Sequence, residues 1–312
     1  MSGKIAVSRG AAALFAAVTL GLLTGASCNK KDDAGPKADP AAVVAAADSA
    51  KKPATLDRSP VPGVDVSRLP GDRQDLFFKM VSDLPSPCGK AHALRTSVTQ
   101  DASCKKAPFA TKLVAELVAD EAAEDVIREF YDERYVKNQD VQTFDLANAP
   151  MVGAPNASVS FVEFFDYGCP SCVQLKPVLD EVIGANQARI KVYYKMFPLK
   201  QKHPDSFGCA QAALAAKAQG KFHEMHDKIF AKFGAQKKED LHKYAEELGL
   251  DMAKFDADLP GTSGQIDADI AEGEAKGVDS TPTLYINGRK YGGPFAPKYF
   301  TMAIDEAIAL KN

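Results

Sequence analysis

The chain has 312 residues, a formal net charge of -3 at pH 7, 46% hydrophobic residues and 25% charged residues. This apolar content excludes a wholly disordered protein, and 22 glycines and 19 prolines without a three-residue period exclude a collagen. A nearly neutral charge gives no footprint for nucleic acid, and six cysteines are too sparse for a small disulfide-stapled fold. The length predicts about two folded units.

Residues 1–27 have the features of a secretory signal peptide. Lys4 and Arg9 precede an uncharged run over residues 10–25, which is too short and too rich in alanine for a membrane span of about 20 strongly apolar residues. Small residues then lead to Cys28. The sequence therefore predicts export.

The signal resembles that of bacterial lipoproteins, in which the cysteine after the cleavage site is acylated. The resemblance implies a lipid anchor at Cys28 and a place in the periplasm or cell envelope. Gly25 stands where such signals usually carry leucine, so a soluble periplasmic protein with a free N-terminal cysteine stays open. Residues 28–70 are rich in Ala, Pro, Asp and Lys and predict a disordered tether.

Residues 72–138 predict a small all-α domain, because apolar residues recur there at spacings of three and four. The predicted helices end before Pro85 and then cover residues 107–119 and 122–136. A unit of about 65 residues is near the lower limit for independent stability, so a staple or a docked neighbour is expected.

Two cysteines can supply that staple. Cys88 and Cys104 flank a short helix that is expected to begin at Gly89. We predict a structural disulfide between them, and a second redox-active pair stays an alternative.

Residues 141–311 predict an α/β domain with a mixed sheet. The predicted strands cover residues 158–165, 189–197, 283–286 and 289–291, with Asn287-Gly288 as the turn of a hairpin. The predicted helices cover residues 169–185, 204–219, 221–233, 238–248, 264–276 and 297–310. These helices predict a helical insert over about residues 200–276.

The motif that carries chemistry is FVEFFDYGCPSC at residues 161–172, where a buried strand passes into a helix. A thiolate is the species that attacks a disulfide, and the first turn of a helix offers unpaired N–H groups and the positive end of the dipole. A spacing of three places Cys169 and Cys172 on one helical face, and Pro170 presets the helical φ. We expect Cys169 to be an exposed nucleophile and Cys172 the more buried resolving thiol.

Two other uses of this cysteine pair stay open. The pair could be half of a zinc site with His203 and Cys209, although no second Cys-x-x-Cys exists. It could also be a structural disulfide, although exported structural disulfides more often close longer loops. We predict no metal and no soluble cofactor, since electrons would pass through the cysteines.

Residues 141–311 resemble the DsbA-like branch of the thioredoxin superfamily, in particular its Thioredoxin_4-type members. The matching strings are VEFFDYGCPSC, YYKMFPL, HPDSFGCAQAALAAKAQGKFHEMHDKIF, LHKYAEELGLD and STPTLYINGR, in the family's order. The resemblance implies a thioredoxin fold with an inserted helical subdomain. It also implies a thiol–disulfide oxidoreductase that acts on cysteine-containing exported proteins and has a membrane redox partner.

The resemblance assigns roles to further residues. Pro282 matches the family's cis-proline, which presents backbone to the substrate, and Thr281 matches the residue that influences the sulfur pair. Glu163 matches a buried acid beneath the resolving cysteine, where it would relay a proton, and Lys191 is a candidate partner for it. An edge carboxylate that faces water is the alternative for Glu163.

The remaining histidines and Cys209 are expected to be structural. His223-Glu-Met-His226 is one residue short of the H-E-x-x-H zinc spacing and lies on a helix of the insert. His203 and His242 are expected to have surface or packing roles. Cys209 lies on a small-residue helical face and is expected to be a buried thiol rather than a third redox cysteine.

The direction of electron flow stays open. Residues 107–135 resemble the helical redox domain of CcmH-type cytochrome c maturation proteins, but Cys88 and Cys104 lack that family's close spacing. An exported compartment favours an oxidase, with a reductase or maturation factor and an isomerase as alternatives. The alternative to an enzyme is a non-enzymatic envelope protein, a tethered metal-binding or docking module. Such a module has no need for a nucleophile.

Overall fold

The computed structural model describes residues 55–311. The predicted signal peptide, Cys28 and the first part of the predicted tether lie outside these residues. The chain from Thr55 onward forms one compact unit. Within the described range, no helix has both the length and the apolar character that a membrane crossing requires.

Residues 55–70 pack against the helices that follow them. Val61 is 4% exposed and Val66 is 8% exposed, and Leu69 packs against the same apolar cluster. The predicted tether therefore does not extend to residue 70. The segment is polar on average, but it contains a few apolar residues, and these are enough to pack it against the helices.

The helical part covers residues 71–137. Its elements are α1 (Gly71–Asp83), α2 (Leu94–Gln100), α3 (Ala107–Ala119) and α4 (Glu124–Asp132), and α4 continues as a π-helical turn (Glu133–Lys137). The helix expected at Gly89 instead begins at Leu94, because Gly89 has a φ of 69° and Pro85 pairs with Ala93 in an isolated β-bridge. The predicted disulfide is present: Cys88 and Cys104 are bonded, with their Cα atoms 5.8 Å apart, and close the loop that carries α2.

The α/β part covers residues 151–309. It contains β1 (Met151–Gly153), β2 (Val159–Phe165), α5 (Pro170–Ala185), β3 (Ile190–Met196), α6 (Ser206–Lys217), α7 (Phe222–Ala231), α8 (Lys238–Glu247), α9 (Met252–Asp258), a 3-10 turn (Pro260–Thr262), α10 (Ser263–Ala275), β4 (Thr283–Ile286), β5 (Arg289–Lys290) and α11 (Pro297–Ala309). The strand order is β1-β3-β2-β4-β5, with β2 and β3 parallel and the other pairs antiparallel. This arrangement confirms the predicted α/β class. Strand β1 and helix α9 were not predicted, because both are too short to show a periodic pattern in the sequence.

Strand β2 lies in the middle of the sheet. Its side chains point alternately to the two faces of the sheet, and this alternation determines which of them lie under α5. Phe161 and Phe165 belong to the apolar cluster that also contains Cys172, whereas Phe164 belongs to a second cluster. Successive side chains of a strand point to opposite faces. Glu163 therefore shares the face of Phe161 and Phe165, beneath α5.

The helical part docks on α11. Tyr299 is buried in the apolar cluster of the helical part, and its hydroxyl donates to Asp120 over 2.7 Å. The Arg134 guanidinium pairs with Glu306 at the same junction. The helical part thus has both the staple and the docked neighbour that its small size led us to expect.

Candidate active site

Cys169 is the last residue before α5, and Pro170 opens the helix. The backbone of Cys169 is extended, with a φ of -87° and a ψ of 120°, and its carbonyl accepts hydrogen bonds from the N–H groups of Cys172 and Val173. The helix therefore begins directly after the sulfur-bearing residue. Its first N–H groups are available to a thiolate at this position, as the motif predicted.

The pKa of Cys169 is lowered to about 5. The largest cause is a hydrogen bond with the Cys172 side chain, which outweighs the opposing effect of burial. A hydrogen bond with Thr281 and the main-chain N–H groups of Cys172 and Ser171 lower the pKa further. At neutral pH, a reduced Cys169 is therefore a thiolate.

The prediction that Cys169 is exposed is wrong, because only 7% of its surface is accessible. The Thr281–Pro282 loop covers the sulfur, and Cys169 Sγ donates to the carbonyl oxygen of Thr281 over 3.2 Å. That loop is distant in sequence, so the local motif could not show the cover. The active-site sulfur therefore lies beneath this loop rather than on an open surface.

Cys172 is the more buried of the two cysteines, at 1% exposure. Burial is the largest cause of a strongly raised pKa for its thiol, and the Cys169 side chain and the Glu163 carboxyl raise the pKa further. The two thiols therefore differ strongly in acidity: Cys169 loses its proton at neutral pH, whereas Cys172 keeps its proton.

The Thr281–Pro282 peptide bond is cis, as the family resemblance implied. Strand β4 starts at Thr283, which lies opposite Phe164 of β2 in the antiparallel register. This pairing brings the loop beside Cys169. The hydroxyl Oγ1 of Thr281 is buried, and it has no hydrogen-bond partner other than the Cys169 sulfur among residues 55–311.

Glu163 is 5% exposed, so the prediction of a buried acid is confirmed and the water-facing alternative is excluded. Burial raises its pKa to about 8, and Asp180 adds to the rise. The Lys176 ammonium opposes the rise. Lys191 is not the partner that we expected, because its ammonium donates to the carbonyl of Pro155 over 2.9 Å.

Lys176 follows Cys172 by one helical turn on α5. Its ammonium lies 2.6 Å from a carboxylate oxygen of Asp180 and 2.8 Å from one of Asp227, and its side chain is only 14% exposed. The carboxylates of Asp180 and Asp227 are themselves half exposed or more. This ion-pair cluster lies between α5 and α7 and carries the cation that acts on Glu163.

Asp166 organises the loop before Cys169, a role that was not predicted from the sequence. Its carboxylate accepts hydrogen bonds from the N–H groups of Gly168 and Leu199, both over 2.8 Å, and lies 2.7 Å from Nδ1 of His203. These bonds join the cysteine loop to the segment after β3. The available signal was a carboxyl at the end of a buried strand, directly before the cysteines.

The other candidate ligands are held in separate contacts. His226 is 2% exposed, and its Nδ1 lies 3.0 Å from the Tyr167 hydroxyl; burial lowers its pKa well below the usual value. Cys209 is fully buried, as expected, and burial raises its pKa to about 12. In the part of the chain that the structure describes, no group of three or more His, Cys, Asp or Glu residues is arranged to hold a metal.

A family model described as "Thioredoxin", Thioredoxin_4, matches residues 145–306. Among curated proteins, the chain is 35% identical over 147 residues to the Na(+)/H(+) antiporter NhaA 1 of Mycobacterium sp. (strain KMS), covering 46% of this chain and 24% of that protein. It is also 35% identical over 160 residues to the Na(+)/H(+) antiporter NhaA 3 of Salinispora tropica, covering 50% of this chain and 24% of that protein. The chain thus spans about a quarter of the length of these curated relatives.

Solved structures are similar to the chain over about half of its length. A thioredoxin-like oxidoreductase from Silicibacter pomeroyi DSS-3 is 28% identical with a TM-score of 0.48, covering 52% of this chain and 93% of that one. Oxidised BdbD from Bacillus subtilis is 20% identical with a TM-score of 0.49, covering 56% of this chain and 100% of that one.

Proposed function

The chain belongs to the Thioredoxin_4 family, which matches it over residues 145–306, and from that premise we propose that it is an exported thiol–disulfide oxidoreductase that acts as an oxidase. Its fold is the thioredoxin fold with a helical insert, as the sequence predicted, and a small helical part precedes it. The observation that carries the proposal is the unequal sulfur pair. Cys169 has a pKa of about 5 at the start of α5, and Cys172 is buried beside it.

The proposed reaction begins with the disulfide between Cys169 and Cys172. A substrate thiolate attacks Sγ of Cys169, the bond between the two cysteines breaks, and Cys172 leaves and takes a proton from Glu163. A second substrate thiolate then attacks the substrate sulfur of the mixed disulfide, and Cys169 leaves as a thiolate. The substrate has lost two electrons and formed a disulfide, and the cysteine pair has gained those electrons.

In this scheme the low pKa of Cys169 favours the second step, because a thiol of low pKa leaves more easily. Glu163 supplies the proton at the buried sulfur, where its raised pKa keeps it protonated at neutral pH. The main chain at Thr281 and Pro282 lies beside Cys169 and would hold the substrate backbone. A membrane redox partner would remove the electrons from the reduced pair.

An oxidase is the direction that the thiolate supports, since stabilising the reduced form makes a disulfide a stronger oxidant. Equilibration of the full chain with glutathione buffers at pH 7 tests this direction. We expect a reduction potential of about -180 mV or higher, as in oxidising members of the superfamily. A potential near about -270 mV would instead support the reductase or maturation factor.

The exchange activity itself needs a separate test. With a reduced, unfolded protein as substrate, we expect Cys169→Ser to abolish disulfide formation. Cys172→Ser is first converted to the mixed disulfide of Cys169 with glutathione. A substrate thiolate should then displace glutathione and leave a mixed disulfide between Cys169 and the substrate that accumulates, because no resolving thiol is present. Cys209→Ala serves as the matched control, because that thiol is fully buried and outside the pair. Full activity in Cys169→Ser would contradict the proposal.

We propose the periplasm or cell envelope as the location, with Cys28 as the lipid-bearing residue. Metabolic labelling of bacteria with a tagged fatty acid tests the anchor. We expect label in the wild-type chain and none in Cys28→Ala. Export without label in the wild-type chain would support the soluble periplasmic form.

The proposed substrates are cysteine-containing exported proteins.

A further inference from the structure

A cavity of about 660 Å³ lies at the junction of the helical part and the α/β part. Its wall includes Tyr135 from the helical part, Ser160 and Val162 from the first half of β2, and Arg289 from β5. Cys169 follows the opposite end of β2. The cavity is therefore separate from the site of thiol–disulfide exchange, and its volume is that of a site for a small organic molecule.

Two cations in this cavity converge on one neutral residue. Lys106 Nζ lies 2.6 Å from Oε1 of Gln139, and the Arg289 guanidinium donates to the main-chain carbonyl of the same residue. Neither cation forms an ion pair with a carboxylate within residues 55–311. Burial and then the neighbouring Arg289 lower the pKa of Lys106, as expected for two cations that repel each other.

The lining of the cavity carries a surplus of positive charge. Its cations are Lys106, Arg134, Arg289, Lys290 and Lys311, whereas Glu306 is its one carboxylate among the described residues. Glu306 is already occupied, since it accepts from Arg134 and from the Tyr135 hydroxyl. Nη1 of Arg134 is buried and has no hydrogen-bond partner in the described part of the chain. The electrostatic field in the cavity therefore favours an anion.

Gln142, Thr143, Ser160 and Asn287 also line the cavity, but much of the remaining wall is apolar. Val162, Ile286 and Ala307 line the interior, and Val141 and Leu310 lie at the rim with 58% and 37% of their surface exposed. An inorganic anion would leave these surfaces in contact with water. A ligand with an apolar body would cover them, and removing apolar surface from water favours binding.

We propose that this cavity binds a single-chain aliphatic carboxylate, with its carboxylate between Lys106 and Arg289 and its chain along the apolar wall. Charge-assisted hydrogen bonds from the two cations would replace their present bonds to Gln139. The chain would extend toward Val141 and Leu310. The ligand would bridge the helical part and the α/β part without reaching either active-site sulfur.

Isothermal titration of the full chain with decanoate tests the proposal, with decanol and acetate as ligands that each lack one half of the chemistry. The chain carries Cys28→Ser, so that no acyl group competes. We expect Lys106→Gln combined with Arg289→Gln to weaken decanoate binding by about tenfold or more, which corresponds to about 1.4 kcal/mol. Lys243→Gln is the control, since that side chain is 70% exposed on α8.

The expected order of affinity is decanoate far above decanol and acetate. Equal binding of decanol would show that the cations are not used, and equal binding of acetate would show that the apolar wall is not used; either result overturns the proposal. The ligand series needs no variant, so it decides the question even if the double variant fails to fold. Unchanged decanoate affinity in a folded double variant would also overturn it.

Discussion

The sulfur of Cys169 and the main-chain oxygen of Thr281 lie 3.2 Å apart, although 112 residues separate them in the chain. The contact depends on the antiparallel pairing of β2 with β4, which places Thr283 opposite Phe164. A carbonyl oxygen can accept a hydrogen bond from the thiol but cannot donate one to a thiolate. The thiolate must therefore be stabilised by other groups: the Cys172 thiol, the first N–H groups of α5, and the Thr281 hydroxyl.

Removal of the Thr281 hydroxyl should therefore make the Cys169 thiolate less stable. Oγ1 of Thr281 is buried and has no partner other than the Cys169 sulfur in the described structure, so it can donate to the Cys169 thiolate. We expect Thr281→Val to raise the pKa of Cys169 from about 5 by about one unit. Ultraviolet titration of the thiolate in the reduced protein measures the change. Thr99→Val, at an exposed position on α2, should leave the titration curve unchanged.

The same thiolate predicts how the stability of the reduced protein depends on pH. The folded pKa of Cys169 is about 5, below the ordinary thiol value of 9.0. Between these two pH values Cys169 binds more protons in the unfolded chain than in the folded protein. The contribution of Cys169 to the free energy of unfolding therefore rises with pH. The contribution is fully present above about pH 9 and is lost as pH falls through about 5.

Urea unfolding of the reduced wild type and of Cys169→Ser at several pH values isolates this contribution. We expect the difference in unfolding free energy to increase in favour of the wild type as pH rises from 5 toward 9. A difference that does not change with pH would mean that the thiolate is not stabilised by folding.

Glu163 predicts a pH-dependent step at the buried sulfur. A mixed disulfide between Cys169 and thionitrobenzoate releases the coloured anion when Cys172 attacks it, and this attack requires removal of the Cys172 proton. We expect the rate to rise with an inflection at about pH 8, the pKa of Glu163. In Glu163→Gln the inflection should disappear and the rate should fall by about a hundredfold.

Two further variants test the electrostatics of that carboxyl. The Lys176 ammonium lowers the pKa of Glu163 and Asp180 raises it, so Lys176→Met should move the inflection up and Asp180→Asn should move it down. Glu181→Gln, at an exposed position on α5, should change neither the rate nor the inflection. An inflection that persists in Glu163→Gln would assign the proton transfer to another group.

Removal of the disulfide in the helical part should lower the free energy of unfolding and leave catalysis intact. Cys88 and Cys104 are 16 positions apart, and a bridge across such a loop stabilises by about 3 kcal/mol. We expect Cys88→Ser combined with Cys104→Ser to lower the free energy of unfolding by about that amount. Disulfide exchange through Cys169 should keep its rate under conditions where the variant is folded. A lost exchange rate in the folded variant would instead indicate a second redox-active pair.

Local patterns were enough to predict the elements that carry the site. The helix at Ala107–Ala119 and the strand at Thr283–Ile286 have the predicted bounds, because apolar spacing and flanking turn residues determine both. The sequence predicted a helix from Cys169, and α5 begins one residue later, at Pro170, in agreement with the preference for proline at the first helical position. The burial of Glu163 followed from the resemblance and agrees with the alternation of β2.

The errors arose where residues distant in sequence meet. Cys169 is covered by the Thr281–Pro282 loop, and no pattern near the cysteines shows that cover. Lys191 on the neighbouring strand was the expected partner of Glu163, whereas the structure shows that Lys176 acts on Glu163 from the helix above it. Both misjudgements concern which side chains face each other across elements, and one-dimensional periodicity does not contain that information.

The loop before the cysteines predicts a steric test at Gly168. A Cβ atom at this position would lie 2.5 Å from Cβ of His203, which is itself held by Asp166. Gly168→Ala should therefore push the cysteine loop away from the segment after β3. We expect an unfolding free energy lower by about 1–3 kcal/mol and a slower exchange rate. Gly184→Ala is the matched control, because a Cβ atom there meets nothing within 4 Å and alanine favours the helix. If both variants kept wild-type stability and rate, the contact between Gly168 and His203 would not constrain the active-site loop.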